Sequence, residues 1–480
     1  MGCVKCSLTF LIISGIALAA LVAFLSKPAE RPALAADGYW GPKKIAKGAA
    51  LPKDKESVDK FSIEFDAKMI AGLREELSRT KWFDPLEDAA YHYGVNLRSF
   101  KDIIEHWRTK FDFAAAQQRI NAFPHYKTEI EGLNIHFFRS LPQPGPKIKV
   151  IPILMIHGWP GSFVEFLKIT PLLSEAKDGV SFDIIVPSLP GYGYSDPAKK
   201  QGVDIAVTAR IFSKLMKRLG YSKYYVQGGD WGAAIANAMG IFYPENLRGI
   251  HMNMVFADSL SAIAIAKQTL FGLFPNYFGD GQMPKCMMVP YTERVVDVLR
   301  EAGYMHFQST KPDTVGFSLL NSPAGLAAYI SEKFSTWTQP DFRFLDDGGH
   351  GKKFTVDDIL TNIMVYYATG SIISSQRYYR ENFATGVAVE LSKIPVFVPT
   401  GYAVFPNEVL CVPKFVASTT LKNITTMTYQ KDGGHFAAFE QPDLLEKDIR
   451  LFVKEVEKLY PEQVKPPTGF AASYITKSEK

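Results

Sequence analysis

The segment Gly228-Gly229-Asp230-Trp231-Gly232 is the most diagnostic part of the sequence, because it carries the chain from an apolar strand into a helix through a very sharp turn. The strand is predicted over Tyr224–Gln227 and the helix, rich in small residues, over Ala233–Phe242. Glycines flank the central residue because no side chain fits in so tight a turn. This order of strand, turn and helix is typical of a nucleophile elbow, so we interpret Asp230 as a nucleophile rather than a helix cap.

An acid at the centre of this turn indicates a particular chemistry. The hydrolase pattern with the same glycines has a serine there, and a serine that attacked an epoxide carbon would leave a stable ether. A carboxylate leaves an ester instead, and water then cleaves that ester. Asp230 is therefore predicted to form a covalent ester with its substrate.

A second turn lies upstream, where the apolar run Val150–Ile156 leads into His157-Gly158-Trp159-Pro160-Gly161. In this fold the oxyanion hole takes one backbone N–H from this loop and one from the residue after the nucleophile. Trp159 and Trp231 are predicted to supply those two donors. His157 lies inside the turn and ahead of the nucleophile in chain order, so we interpret it as structural.

The general base should be a histidine late in the chain, since this fold orders its triad as nucleophile, acid and histidine. The tetrapeptide Asp-Gly-Gly-His occurs twice, ending at His350 and at His435. His350 lies in a charged stretch with no strand before it, which predicts a solvated loop. His435 follows the predicted strand Ile424–Tyr429 and precedes a long amphipathic helix, Leu444–Leu459, so His435 is the predicted base.

The acid of the triad should follow the strand that comes after the cap. That strand is predicted at Pro395–Val398, and Glu408 is the first acid beyond it. Glu408 would hold one ring nitrogen of His435 and stabilise its protonated form. Asp432 and Glu440 are nearer to His435 in the sequence, but their setting indicates a turn residue and a helix-start residue.

Opening an epoxide also requires an acid for the departing oxygen, and a tyrosine phenol suits that task. The residues themselves leave the choice open, because most buried tyrosines are simply core residues with a satisfied hydroxyl. The candidates between the two halves of the sheet are Tyr304, Tyr329, Tyr366, Tyr367, Tyr378 and Tyr379.

The order of strand and helix patterns predicts an α/β-hydrolase fold with a mostly parallel sheet. A helical region rich in Tyr and Phe interrupts that order and is predicted to cap the carboxyl ends of the strands. The predicted divisions are 1–37 (anchor), 38–147 (helical lead-in), 148–265 (first half of the core), 266–389 (cap) and 390–480 (second half and tail). The other predicted strands are Ile135–Phe138 and Asp183–Val186.

Composition narrows the class of protein. The formal net charge of +5 over 480 residues is not gathered into one basic block, so nucleic-acid binding is not indicated. The four cysteines, Cys3, Cys6, Cys286 and Cys411, have neither a disulfide framework nor zinc spacing. A reducing compartment is therefore expected for the folded part, with no metal and no organic cofactor.

Leu8–Leu25 is an uncharged apolar run that nearly crosses a bilayer core of roughly 30 Å. It is longer than the apolar part of a secretory signal, and the possible cleavage site after Ala35 lies well beyond it. We therefore predict an uncleaved single-pass anchor. The basic residues Lys27, Arg31, Lys43, Lys44 and Lys47 follow the run and only Lys5 precedes it, which predicts a catalytic part in the cytosol.

Seven motifs give the chain a specific resemblance from the anchor almost to its end. They are 38–42 (GYWGP), 157–162 (HGWPGS), 190–193 (PGYG), 228–232 (GGDWG), 303–306 (GYMH), 374–379 (SSQRYY) and 433–436 (GGHF). On these motifs the chain closely resembles the microsomal epoxide hydrolases, which include the insect juvenile hormone epoxide hydrolases. Tyr39 stands where vertebrate members usually carry a second tryptophan, far from the predicted chemistry.

The resemblance implies a nucleophile at Asp230, a relay of Glu408 and His435, and acids in the cap at Tyr304 and Tyr379. It also implies a lead-in that wraps the core, and an anchor in the endoplasmic-reticulum membrane. The expected substrate is a lipophilic epoxide, either juvenile hormone or a xenobiotic, with water as the second reactant; the sequence does not indicate an oligomeric state.

Two alternatives remain open at this stage. A haloalkane dehalogenase would use the same aspartate but has no need of the tyrosine pair, and a halide-release assay would identify it. A non-catalytic carrier of apolar ligands has no need of a complete triad, and titration calorimetry beside a turnover assay would identify it.

Overall fold

The computed structural model describes residues 31–142, 145, 147–256, 262–274, 277, 283–288 and 291–461. The predicted anchor run Leu8–Leu25 lies outside these residues, as do Cys3, Cys6 and the end of the tail from 462. Within the described ranges, no helix combines the length and the apolar character that a membrane span requires.

One twisted sheet forms the centre of the described chain, and its strands run in the order β1-β2-β3-β5-β4-β6-β7-β8-β9. The pairs from β1 to β5 at one end are antiparallel, and the pairs from β5 to β9 are parallel. The prediction of a mostly parallel α/β-hydrolase sheet is confirmed. The strands are β1 Asp59–Phe61, β2 His125–Ile130, β3 Leu133–Ser140, β4 Lys149–Ile156, β5 Val180–Pro187, β6 Tyr224–Gly228, β7 Leu247–Met252, β8 Thr400–Val404 and β9 Ile424–Tyr429.

The strand predicted at Pro395–Val398 is wrong by a few residues. Val396 makes an isolated bridge to Leu421, and the paired strand begins only at Thr400. Proline has no N–H to donate to a ladder, so Pro395 and Pro399 delay regular pairing until the chain has passed both of them. Glu408 is still the first acid beyond the strand.

The lead-in contains three helices, as the sequence pattern predicts, but it also supplies β1, β2 and β3 to the antiparallel end of the sheet, so the prediction of a helical segment is wrong for β1 and β2. Asp66 caps the first helix by accepting a hydrogen bond from the Met69 N–H, at 2.8 Å, and Leu73 and Leu77 are buried on one face of that helix. The second helix buries Trp107 completely. The lead-in helices are α1 Ala67–Ser78, α2 Leu97–Thr109 and α3 Phe113–Ile120.

The cap lies between β7 and β8, and the remaining helices belong to the core. The core helices are α4 Ile169–Ser174, α5 Ile205–Arg218 and α6 Trp231–Phe242, followed after the cap by α16 Lys414–Ala417, α17 Ala437–Glu440 and α18 Pro442–Leu459. The cap helices are α7 Ala262–Leu273, α8 Lys285–Met288, α9 Tyr291–Glu301, α10 Gly303–Thr310, α11 Pro312–Leu320, α12 Pro323–Thr336, α13 Val356–Thr369, α14 Ile372–Tyr379 and α15 Val387–Ser392.

A disulfide joins Cys286 in the cap to Cys411 in the core, with Cα atoms 5.8 Å apart. The interpretation of the cysteines as unpaired is therefore wrong for these two, and they no longer support the expectation of a reducing compartment. They lie 125 residues apart in the chain, and only the docking of the cap on the core brings them together. The disulfide covalently joins the loop after β8, which carries Glu408, to helix α8 of the cap.

Candidate active site

The turn between β6 and α6 holds Asp230 in a backbone conformation that L-residues rarely adopt, with φ 48° and ψ −129°. A Cβ atom at Gly228 would lie 2.4 Å from the Gly232 carbonyl carbon, and one at Gly232 would lie 1.9 Å from the Ile156 oxygen. Both glycines are therefore required by the packing of the turn. The turn lifts the Asp230 carboxylate out of the sheet end toward the cap.

The backbone amide of Trp159 donates a hydrogen bond to Asp230 Oδ1, at 2.8 Å. A Cβ at Gly158 would lie 2.2 Å from the same oxygen, so the loop can approach the carboxylate only because that residue is glycine. Trp231 begins α6, and its N–H is one of the first-turn amides that have no partner within a helix. The structure thus places the Trp159 amide on the predicted nucleophile, and the Trp231 amide directly after it in the chain, at the start of α6.

His435 and Glu408 lie behind the nucleophile. His435 Nε2 is 3.6 Å from Asp230 Oδ2, and His435 Nδ1 is 2.6 Å from Glu408 Oε1. The His435 amide also donates to the Trp337 carbonyl, at 3.0 Å, which ties the loop after β9 to the cap. The three predicted members of the triad are therefore in contact in the predicted order.

The charge around His435 depends on the state of the nucleophile. Burial alone lowers the pKa of the imidazole, but Glu408 and Asp230 outweigh it and raise the pKa well above its usual value. An ester on Asp230 removes one of these two negative charges. The pKa of His435 must then fall, which favours the neutral imidazole, the form that can accept a proton from water.

Tyr304 and Tyr379 are cap tyrosines that pack on the loops around the nucleophile and hydrogen-bond to each other there. The Tyr304 ring stacks on Trp159, with centroids 5.1 Å apart, and the Tyr379 ring meets Trp231 edge-on at 4.8 Å. Their own ring centroids are 5.8 Å apart, and their hydroxyls share a hydrogen bond. The hydroxyls of the other four candidates donate hydrogen bonds to other groups. Tyr329 donates to Gln308, Tyr366 to the Gly161 carbonyl, Tyr367 to Glu76 and Tyr378 to Thr208.

A small cavity of about 20 Å³ lies beside the triad and has both polar and apolar walls. Asp230, His435, Glu165 and Gln227 supply polar groups to it, and Gln227 Oε1 has no hydrogen-bond partner among the described residues. A cavity of this size with several polar partners has room for a water molecule. Such a water would lie beside both the predicted base and the predicted nucleophile.

Sequence reasoning missed Glu165, which lies in the short 3-10 helix Phe163–Phe166. Burial raises the pKa of Glu165 to about 8, and the negative charge of Asp230 adds to the rise. A Cβ at Gly161 would lie 1.5 Å from Glu165 Oε1, so this glycine gives the carboxyl its space. The signal in the sequence was an acid between the apolar neighbours Val164 and Phe166 directly after the oxyanion loop.

The two other histidines singled out in the sequence are structural. His157 Nε2 accepts from the Leu189 amide, at 3.2 Å, and burial lowers the pKa of its ring to about 4. His350 was predicted in a solvated loop, and that prediction is wrong: its Nε2 lies 2.9 Å from the Ser331 carbonyl oxygen. Its Nδ1 lies 3.3 Å from the Tyr91 hydroxyl, because the lead-in packs over this loop.

Asp432 and Glu440 are the two acids near His435 in the sequence that were not assigned to the triad, and Glu440 has a larger structural role than a helix-start residue. Glu440 ends α17, is buried, and accepts hydrogen bonds from the amides of Gly434 and Phe436 at 2.9 and 2.8 Å. It therefore holds the backbone on both sides of His435. Asp432 pairs with Lys353 and accepts from the Gly433 amide, as a turn residue does.

Two family models match the chain. The model described as "Epoxide hydrolase N terminus" matches residues 58–166, and the model described as "alpha/beta hydrolase fold" matches residues 151–382. Together they extend over the lead-in, the first half of the sheet and most of the cap.

Among proteins of known name, "Epoxide hydrolase 1" of Oryctolagus cuniculus is 44% identical over 91% of this chain and 96% of its own length. "Juvenile hormone epoxide hydrolase 1" of Ctenocephalides felis is 42% identical over 94% of this chain and 96% of its own. Among solved structures, the crystal structure of juvenile hormone epoxide hydrolase from the silkworm Bombyx mori is 40% identical, with a TM-score of 0.84. That likeness covers 89% of this chain and 100% of that one.

Proposed function

The chain belongs to the epoxide hydrolase family and converts epoxides to diols with water, and on that premise we propose that the reaction passes through a covalent ester on Asp230. The observation that carries this proposal is the pair of contacts made by the Asp230 carboxylate. One oxygen is held by the Trp159 amide at 2.8 Å, and the other faces His435 Nε2 at 3.6 Å. The free oxygen is available to attack, while the held oxygen becomes the ester carbonyl.

In the first step, Asp230 Oδ2 forms a bond to one epoxide carbon while the bond from that carbon to the epoxide oxygen breaks. The electron pair of the broken bond stays on oxygen. Tyr304 and Tyr379 donate hydrogen bonds to that oxygen, and one of the phenols passes it a proton. Both rings pack on the oxyanion loops, which places the two phenols beside Asp230, where the epoxide must bind to be attacked.

In the second step, His435 takes a proton from the water in the small cavity, and the oxygen of that water adds to the ester carbonyl. The amides of Trp159 and Trp231 hold the oxyanion. The intermediate then collapses, and the departing diol oxygen takes the proton back from His435. The remaining acid proton returns to the phenolate, which leaves Asp230 ionised again. No step in this sequence draws on a metal ion or an organic cofactor.

We expect a single turnover in H2(18)O, with enzyme in excess of a lipophilic epoxide, to place heavy oxygen in the carboxylate of Asp230. The diol should carry ordinary oxygen, because its new hydroxyl comes from the aspartate. Mass spectrometry of the peptide that contains Asp230, and of the diol, measures both.

Heavy oxygen in the diol of the first turnover, with none in that peptide, would show direct attack by water and would overturn the ester. Repeated turnover serves as the control, because the labelled carboxylate then passes heavy oxygen into later diols.

The aromatic walls around the nucleophile indicate lipophilic substrates. Four aromatic side chains pack on one another beside Asp230, with ring centroids 5.0 to 5.8 Å apart. They are Trp159, Tyr304, Trp337 and Tyr379, and together they form the apolar wall that a lipophilic ligand requires. Both juvenile-hormone-like terpenoid epoxy esters and styrene-type xenobiotic epoxides fit this chemistry. A turnover panel with one epoxide of each class, compared by kcat/KM, decides between them.

We propose that the chain is held in the endoplasmic-reticulum membrane by Leu8–Leu25, with its catalytic part in the cytosol. Deletion of residues 1–26 is expected to move the protein into the soluble fraction with kcat/KM unchanged, because the triad and the tyrosines all lie beyond residue 150. Carbonate extraction and activity of the two fractions measure this.

A matched control replaces Leu8–Leu25 by an unrelated apolar run of equal length and should keep the protein membrane-bound. A free N-terminus at Ala36, or a glycan on Asn423, would contradict the uncleaved anchor and the cytosolic orientation.

A further inference from the structure

A buried cation lies against one of the two cap tyrosines. Lys333, on α12, has a side chain that is only 7% exposed, and its Nζ lies 4.8 Å from the centroid of the Tyr304 ring. The same Nζ is 5.5 Å from the Trp337 ring and 2.5 Å from Glu332 Oε2. Burial of an ammonium group is costly unless its surroundings stabilise the charge. A lysine buried over this ring is therefore expected to have a role there.

We propose that Lys333 is a positioning residue whose charge, acting through the ring of Tyr304, makes Tyr304 the phenol that protonates the departing epoxide oxygen. This inference deepens the proposed function and rests on it. The roles of the two tyrosines then differ: Tyr304 transfers the proton, and Tyr379 holds the oxygen and afterwards the phenolate.

The physical basis is a contact that grows stronger during the reaction. A cation over a neutral phenol ring is held by the ring quadrupole alone, which is a weak attraction. When Tyr304 gives up its proton, the ring and its oxygen carry a full negative charge, and the contact becomes an ion pair in a partly desolvated site. A contact that is stronger in the transition state than in the ground state accelerates the step.

The surroundings of the two phenols support this asymmetry. Trp159, Trp231 and Tyr304 surround the ring of Tyr379, and within the described ranges no lysine or arginine lies over it. Burial raises the pKa of both phenols. The hydrogen bond between them lowers the pKa of Tyr304 and raises that of Tyr379. Tyr304 is thus the member of the pair that ionises more readily.

Negative groups near Tyr304 oppose the effect of Lys333. Asp230 and Glu332 both raise the pKa of Tyr304, and so does the neighbouring phenol Tyr329. Asp230 loses its charge as the ester forms, so its opposition disappears during the step. Glu332 is partly exposed, at 20%, and its ion pair fixes the Lys333 ammonium over the ring.

The test compares Lys333→Met, which keeps the length of the side chain and removes its charge, with Lys333→Arg, which keeps the charge. Rapid-quench intact-mass analysis of single turnovers gives the rates of ester formation and ester hydrolysis separately. Lys333→Met should slow ester formation by about 10- to 100-fold, a part of what loss of a positioned acid costs, and leave ester hydrolysis nearly unchanged. Lys333→Arg should retain most of the rate.

A double-mutant cycle separates this role from simple packing. In a Tyr304→Phe background, Lys333→Met should have little further effect on ester formation, because the phenol through which it acts is gone. The loss should also shrink for epoxides with electron-withdrawing substituents, whose departing oxygen needs less protonation. An equal loss in both backgrounds, or one that is independent of the substituent, would overturn the proposal.

Glu332→Gln keeps the test decisive if Lys333→Met folds poorly. The amide oxygen of Gln still accepts a hydrogen bond from the Lys333 ammonium and keeps it over the ring. Removal of the negative charge should therefore leave ester formation unchanged or faster, since Lys333 then acts on Tyr304 unopposed, and a slower step would contradict the inference. If the wild-type protein forms no ester on Asp230, the proposed function fails. If it forms the ester and Lys333→Met forms it equally fast, only this inference fails.

Discussion

His435→Gln is expected to form the Asp230 ester at nearly the wild-type rate and then to stop, with kcat lower by about 10³- to 10⁶-fold. The imidazole is needed only to activate water after the ester has formed, and its Nε2 lies 3.6 Å from Asp230 Oδ2. Intact-mass analysis should show protein plus one substrate, with the adduct on the peptide that contains Asp230.

Three variants control this experiment. Asp230→Ala in the His435→Gln background should carry no adduct. Glu408→Ala should slow ester hydrolysis less than loss of His435 does, because Glu408 orients the base through a 2.6 Å contact without replacing it. His350→Gln should turn over nearly normally, with any loss appearing as lower thermal stability, since His350 joins Ser331 and Tyr91. An adduct elsewhere than Asp230, or a stall in His350→Gln, would contradict the assignment.

The double variant Tyr304→Phe with Tyr379→Phe should slow ester formation by about 10²- to 10⁴-fold, since the departing oxygen then has no positioned acid. Each single variant should lose less, because the remaining phenol still donates. The phenyl rings keep the packing on Trp159 and Trp231, so ester hydrolysis should be largely spared. Single-turnover measurements of the two steps test this.

Tyr378→Phe is the matched control for these changes. Tyr378 is a buried neighbour of Tyr379 whose hydroxyl bonds to Thr208 at 2.9 Å, away from the nucleophile. It should keep the wild-type rate of ester formation while losing some stability. Wild-type rates in both single variants at 304 and 379 would remove these tyrosines from the mechanism.

The alkylation of Asp230 also links the two steps electrostatically. Before the ester forms, Asp230 and Glu408 keep the pKa of His435 high, so the imidazole tends to hold a proton and stabilise the carboxylate. Once the ester has formed, only Glu408 remains to raise the pKa of His435, so the ring releases its proton more readily and the neutral imidazole is then free to accept one from water. One histidine can therefore serve both states of the nucleophile without moving.

The elbow at Asp230 could be predicted from the sequence because its cause is local. Two glycines are required wherever a strand turns this sharply into a helix, and their spacing is visible in five consecutive residues. The choice of His435 over His350 was also local, because a strand precedes one and not the other. The strand Thr400–Val404 was misplaced because apolar residues at 396 and 398 outweighed the prolines on either side.

By itself, then, the sequence determined the α/β class, the elbow with its aspartate and the chain order of the triad, all of which follow from patterns within short segments. The residues alone left six tyrosines open, and the family resemblance singled out Tyr304 and Tyr379. The tertiary structure shows what separates this pair from the other four, which is what each ring and each hydroxyl contacts. It also decided the place of Glu165, the Cys286–Cys411 bridge and the buried Lys333 over Tyr304. The physical reason is that these contacts join segments remote in the chain, and their distances are set by how the cap packs on the core rather than by local backbone preference.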